Sequence, residues 1–252
     1  MGRPSKPLIS PSLVVKEALR IIDEEGLEEL SIRRLGRELN VQGISLYHHF
    51  KNKDEILAGA CALALSHVRT PRNCDTNWRE WLLQNAIEYR KALQEHPNLI
   101  PVLMRRHPLR IGLKEHNATA GLLAVQGVRS EAIMPLVEAL EELALGSASY
   151  QSAVDNDEHT EHWREHYPYL YILSRKSALS KDRIFELIAR AAIEAISDEV
   201  EGMEPARDAA LVALEARSRA AAEVAPKAEP RRKTEARIGA GLPRKARRAT
   251  TP

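Results

Sequence analysis

Apolar residues recur along this chain three or four apart, the spacing of helices, and nowhere alternate as strands would. From Pro11 to Glu25, Val14, Ala18, Ile21 and Ile22 form one stripe, with Lys16, Glu17, Arg20 and Glu24 on the polar side. Ser10 is placed to accept a first-turn N–H, Pro11 sits where its missing N–H costs nothing, and Gly26 closes the helix. Residues 31–39 predict a second helix, capped by Ser31, with Ile32, Leu35 and Leu39 on one face and Gly36 open to close approach. Asn40 tolerates the left-handed conformation that ends a helix. Val41, Leu46 and Phe50 restart the pattern, leaving Gly43, Ile44, Ser45, Tyr47 and His48 outward on a very short helix, while His49 reads as packed. A fourth helix starts at Asn52, with Glu55 as its capping partner and Ile56, Leu57, Ala60, Leu63 and Ala64 inward. Pro71, Asn73 and Asp75 break the pattern over residues 69–76, where a hinge is expected.

Periodicity returns at Asn77. Trp78, Trp81, Leu82, Asn85, Ala86, Tyr89 and Leu93 make one broad stripe, and Asn77 with Glu80 predicts a capped start. Pro97, Pro101 and Pro108 confine helices between them to a few turns. Further helices are predicted over Leu113–Val125, over residues 130–152 and over residues 182–200. The second carries Ile133, Leu136, Val137, Leu140, Leu143 and Ala144 and ends in small residues at 145–149. The third places Ile184, Phe185, Ile188, Ala192, Ala195 and Ile196 inward. Residues 155–168 are polar and read as mobile. The pattern gives an all-α chain in four parts: a basic arm at 1–9, a small head at 10–68, a larger helical domain at 77–201, and a low-complexity tail at 202–252 that reads as disordered.

Charge sharpens this division. The chain has a net charge of +2, but residues 227–252 hold nine Lys/Arg against two Glu, a net of +7, which leaves −5 for residues 1–226. A mildly acidic body thus carries a strongly basic tail, able to add non-specific nucleic-acid affinity. Cys61 and Cys74 show no metal or disulfide spacing, which fits a reducing compartment. No signal peptide or membrane span is read, so a soluble cytoplasmic protein is expected. No phosphate loop, no HExxH and no Ser/His/Asp order is present, so the chain is expected not to be an enzyme. His159, His162 and His166 fall on one face of any helix there. They keep open an alternative, a helical metal-dependent hydrolase, and a tail-driven architectural DNA-binding protein is another.

Two short helices across a tight turn, the second burying only Leu46 and Phe50, suit a DNA major groove as well as they suit a plain αα-hairpin. The run from Gly26-Leu27 through Leu30-Ser31-Ile32-Arg33-Arg34-Leu35-Gly36-Arg37-Glu38-Leu39-Asn40-Val41 to Ser45-Leu46-Tyr47-His48-His49-Phe50-Lys51-Asn52-Lys53 resembles the DNA-binding domain of the TetR family. The likeness is strong over about residues 10–60 and continues more weakly to about 200. It implies a homodimeric, ligand-responsive regulator, usually a repressor, acting on palindromic double-stranded operator DNA. In the motif's register, Arg33, Gly43, Ile44 and Ser45 are expected to read bases, and Tyr47, His48 and Lys53 to hold the backbone. Gly43 stands where tetracycline-binding members have a glutamine, so a different operator is implied.

The same resemblance implies a small-molecule effector in the second domain. Asn85 and Tyr89 stand at the family's polar and aromatic contacts, and Trp81 and Met104 are added as apolar lining. Leu103 stands where a magnesium-binding histidine is found in tetracycline-binding members, and a leucine cannot coordinate magnesium. No cofactor or metal is expected. The resemblance also implies a dimer interface of four helices, two from each chain, drawn from residues 130–152 and 182–200.

Overall fold

The computed structural model describes residues 10–68, 77–105, 111–154, 160–176, 178–204 and 216. The expected basic arm, the hinge at 69–76 and the basic tail lie outside the described residues. Among those described, every regular element is helical. The head comprises α1 (Pro11–Glu25), α2 (Ile32–Glu38), α3 (Gly43–Leu46) and α4 (Lys53–Ala64). The body comprises α5 (Trp78–Glu95), α6 (Ile100–Arg105), α7 (Leu113–Val125), α8 (Ser130–Val154), α9 (Thr160–His166), α10 (Pro168–Ser174) and α11 (Lys181–Glu201).

Local signals set the head's boundaries as read. Ser10 Oγ accepts from Leu13 N, Ser31 Oγ from Arg34 N, and Asn52 Oδ1 from Glu55 N. Each satisfies one of the four N–H groups that a helix start leaves open. Glu55 reaches back to the N–H of Lys51, one residue before the cap, so the box is looser than the reciprocal form. Gly26 takes φ 97° and Asn40 φ 53° at the two helix ends. A Cβ on Gly59 would lie 2.7 Å from Val15 Cγ2, so the lack of a side chain lets α4 press on α1. Inward on α4 are Ile56, Leu57, Ala60, Cys61 and Ala64. Cys61 thus takes the place expected of Leu63, which is exposed.

In the body, α5 packs along α8, and α11 covers both. Asn77 caps α5 as expected, but its Oδ1 accepts from Arg79 N while Glu80 pairs with Arg190 on α11. Trp78 and Trp81 lie half-buried on α5 against the core, and the head has no tryptophan. Arg90 is the feature that the apolar pattern concealed. Its side chain is 5 % exposed and joins three helices: Nε donates to Ser147 Oγ (2.8 Å), one terminal nitrogen to Gln151 Oε1 (2.8 Å), the other to Asp182 Oδ1 (2.7 Å). Its guanidinium also lies over the Phe185 ring. Arg129, just before α8, donates to the carbonyls of Val200 and Met203 and so caps the negative end of α11.

Three expectations change here. First, the inward face of α11 is Phe185, Ala189, Ile193, Ser197 and Val200, whereas Ile184 and Ile188 are exposed. That helix is apolar on two faces, and the periodicity could not say which one meets its own chain. Second, the helix left open for the polar stretch forms over Thr160–His166 as α9. Third, α10, with the sequence PYLYILS and no buried residue, was not foreseen. No helix among the described residues is long and apolar enough to cross a membrane.

Candidate functional site

The α2–α3 turn is built around Gly36. A Cβ there would stand 2.9 Å from Val41 O and 3.1 Å from Gly43 N, so any side chain would strike backbone. Val41 N donates to Gly36 O (2.8 Å), and Asn40 supplies the left-handed step that makes this bond reachable. Gly43 packs on Ile32: an added Cβ would meet Ile32 Cγ2 at 3.2 Å. Four residues long, α3 is held from behind by Leu46 and Phe50, both buried. Its front shows Ile44 at 68 % and Tyr47 at 52 % exposure, with Ser45 half-buried and His48 exposed.

His49 is exposed too, and corrects its reading as a packed residue. Leu46 and Phe50 take the inward positions one turn apart, which turns position 49 out. Neighbouring arginines differ sharply. Arg34 is tied to Glu25 and Glu38, whereas Arg33 is exposed. Lys53 is the first residue of α4, so its cation adds to the positive helix end. That placement is unfavourable alone and favourable beside an anion such as a phosphate.

Behind the head, a cavity of about 230 Å³ opens among α4, α5, α6, α7 and α8. Leu65, Val68, Leu82, Ala86, Leu103, Ile111, Val137 and Leu140 form its apolar wall. Asn85, Tyr89, Glu115, His116, Thr119 and Glu141 are on its polar side. Of the four expected lining residues, Asn85 and Tyr89 are there. Trp81 is half-buried on α5 outside the lining, and Met104 is 65 % exposed on the outer side of α6. The inward positions of α6 are taken by Ile100, Val102 and Leu103.

His116 and Glu141 were missed as a pair because they lie far apart in sequence and neither stands in a motif. His116 Nδ1 faces Gly112 O at 2.8 Å, and Nε2 bonds Glu141 Oε1. Both partners accept, so the doubly protonated imidazolium satisfies both ring nitrogens at once. The Glu141 bond holds His116 above the ordinary histidine range, against the opposing effect of burial. The Gly112 carbonyl and Glu115 add to that rise. Burial, and after it the nearby Glu141, pushes the Tyr89 phenol up, so it stays protonated.

A second set of contacts ties the cavity wall to the head. The short 3₁₀ turn Pro97–Leu99 precedes α6 and packs on α1. Asn98 Nδ2 donates to Ile22 O (2.9 Å), and His96 Nδ1 lies 2.9 Å from Asp23 Oδ2. Leu103, in the cavity wall, is on the helix that continues from this turn. The three-histidine cluster is not assembled among the described residues: His159 lies outside them, only the backbone of His162 is described, and His166 is exposed. No group of three or more potential metal ligands is present among the described residues.

A helix-turn-helix with an outward second helix, set on a helical body with an internal cavity, defines a two-part DNA-binding regulatory protein. Residues 14–60 match the description of the tetR family of bacterial regulatory proteins. The chain is 28 % identical over 150 residues to an HTH-type transcriptional regulator of Saccharopolyspora erythraea, an overlap of 59 % of this chain and 63 % of that one. It is 26 % identical over 147 residues to the class E tetracycline repressor of Escherichia coli, across 58 % of this chain and 70 % of the repressor. In three dimensions it is similar to apo ActR from Streptomyces coelicolor, with a TM-score of 0.64 and 28 % identity over 77 % of this chain and 97 % of that one. ActR has also been solved with actinorhodin bound, and that structure matches at 27 % identity and a TM-score of 0.63.

Proposed function

We propose that the protein is a homodimeric repressor that binds a palindromic operator through α2 and α3 and is released by a small molecule in the α4–α8 cavity. The observation that carries this reading is the outward presentation of Ile44 on a four-residue helix, and of Tyr47 directly after it, backed by buried Leu46 and Phe50. Ile44 offers apolar contact suited to a thymine methyl group, Arg33 suits a guanine edge, and Gly43 offers no side chain. Tyr47, His48 and Lys53 suit phosphates. Exposed His49 joins that group.

Release follows from the layout of the cavity. A ligand against Leu103 bears on α6, and the turn before α6 grips the carboxyl end of α1 through Asn98 and His96. Movement there changes the angle at which the head leaves the body. In a dimer, that alters the distance between the two reading helices, which must stay about one DNA turn apart, roughly 34 Å. The second copy would cover the outward apolar face of α11, where Ile184 and Ile188 are exposed, and the adjoining face of α8 at Gly146 and Tyr150.

Nuclease footprinting on the DNA upstream of its own gene tests the reading. One protected palindrome is expected. Uniform protection without a boundary would favour the architectural alternative and overturn the repressor.

A further inference from the structure

The chemistry of the cavity restricts what can fill it, given the reading of it as an effector site. At about 230 Å³ it is smaller than the roughly 300–1,000 Å³ typical of drug-sized ligands, so its occupant is compact. Most of the lining is aliphatic, so the bulk of that occupant is apolar. The polar side is unbalanced. Two carboxylates line it, Glu115 and Glu141, and no lysine or arginine does among the described residues. Among the described residues the one cationic group of the lining is His116, and both its ring nitrogens are committed, one to Gly112 O and one to Glu141. Among the described residues, an anionic ligand would therefore meet two carboxylates and no free cation. A donor fares differently, because a carboxylate accepts through about four lone-pair sites and His116 occupies only one.

We infer that the cavity selects a compact, largely apolar molecule whose polar end donates a hydrogen bond to Glu141, and that it discriminates against carboxylates. Glu141 is the anchor. His116 is a positioning residue that fixes the carboxylate from α7. Thr119, one turn beyond His116, and Asn85 of α5 add further polar groups to the lining.

Four probes with the same two-ring body test this by calorimetric titration of the full chain: naphthalene, 1-naphthol, 1-naphthylmethylammonium and 1-naphthoate. A hydrogen bond to a charged group corresponds to about tenfold or more in affinity. The ammonium and the naphthol are therefore expected to bind about tenfold or more tighter than the naphthoate. Glu141→Gln should bring the ammonium and the naphthoate to within about threefold of each other. The double variant Glu141→Gln/His116→Gln, which replaces the ion pair by two amides, should give the same levelling if the single variant is poorly folded. Naphthoate binding as tightly as the ammonium in the unmodified chain would overturn the inference and leave the cavity reading standing. An unchanged order in both variants would remove Glu141 as the anchor. Failure of all four probes, naphthalene included, would overturn the effector-cavity reading itself.

Discussion

At the scale of single residues, the proposed DNA face would separate readers from holders. Arg33→Ala is expected to cost about 1–3 kcal/mol of operator binding and to relax one base position. Lys53→Ala should instead weaken binding equally on all sequences and reduce the salt slope by about 0.9 for one lost phosphate contact. Titrations against single-base operator variants at several salt concentrations distinguish them, and an unchanged base profile for Arg33→Ala would remove that residue from the readers. Arg90 presents a different asymmetry. Its side chain is 5 % exposed while its partner Asp182 is 79 % exposed. Losing Arg90 leaves Ser147 without its donor, leaves Gln151 only the bond from Gln94, and opens a hole among three helices. Arg90→Ala should therefore cost about 3 kcal/mol in urea unfolding, and Asp182→Asn under about 1 kcal/mol because water already screens that carboxylate. Arg90→Lys should rescue little, since one ammonium cannot reach three acceptors set around a planar fork.

At the scale of elements, α7 is held to α8 by few groups: Leu123 is its only buried residue, and His116 is its bond to Glu141. The groups facing His116 are Glu141 from α8, Glu115 and the Gly112 carbonyl from its own segment, with the protonated Tyr89 of α5 beside Glu141. Because the folded value is raised, this contribution is fully present below the unfolded value of about 6.5 and is lost as pH rises through the folded one. The unmodified chain should thus exceed His116→Gln in melting temperature at about pH 6, with the gap narrowing by about pH 9. A gap independent of pH would mean that packing, not charge, ties α7 down. Elements of the head were legible in the sequence almost residue by residue, because Ser10, Ser31, Asn40 and Asn52 act locally and their partners are three or four residues away. The body was less so. His116 with Glu141, Arg90 with Asp182, and Arg129 with the end of α11 join residues 25 to 92 apart, and spacing carries no signal for such pairs. The two-faced α11 failed for another reason: its apolar residues satisfy two partners, and one stripe count cannot apportion them. Of the cavity, Asn85 and Tyr89 were reachable through the family likeness, and the charged pair was not.

At the scale of the whole molecule, the outward face of α8 makes assembly testable without disturbing the protomer. A Cβ on Gly146 would meet nothing within 4 Å. Gly146→Trp should therefore leave the helical content unchanged while shifting sedimentation at micromolar concentration from dimer to monomer. Ile188→Glu on α11 should do the same, since Ile188 is 47 % exposed in a single chain. A dimer that survives both would place the interface elsewhere.

The distribution of tryptophan has an optical consequence. The chain has three, Trp78, Trp81 and Trp163, and all are in the body. Excitation at the red edge of the aromatic band therefore illuminates only that part. Trp81, half-buried on the helix that also carries Asn85 and Tyr89, is well placed for its emission to follow events in the cavity. Trp78 lies under the Arg79 guanidinium, 4.3 Å from its ring centroid, and senses the α5–α11 seam through the Arg79–Glu194 pair. The head's one aromatic phenol, Tyr47, is dark under those conditions. Docking on DNA and local melting of α2–α3 should thus pass unseen in the spectrum unless they are transmitted to α5, so any emission change on adding operator would be a direct optical record of coupling between the two parts.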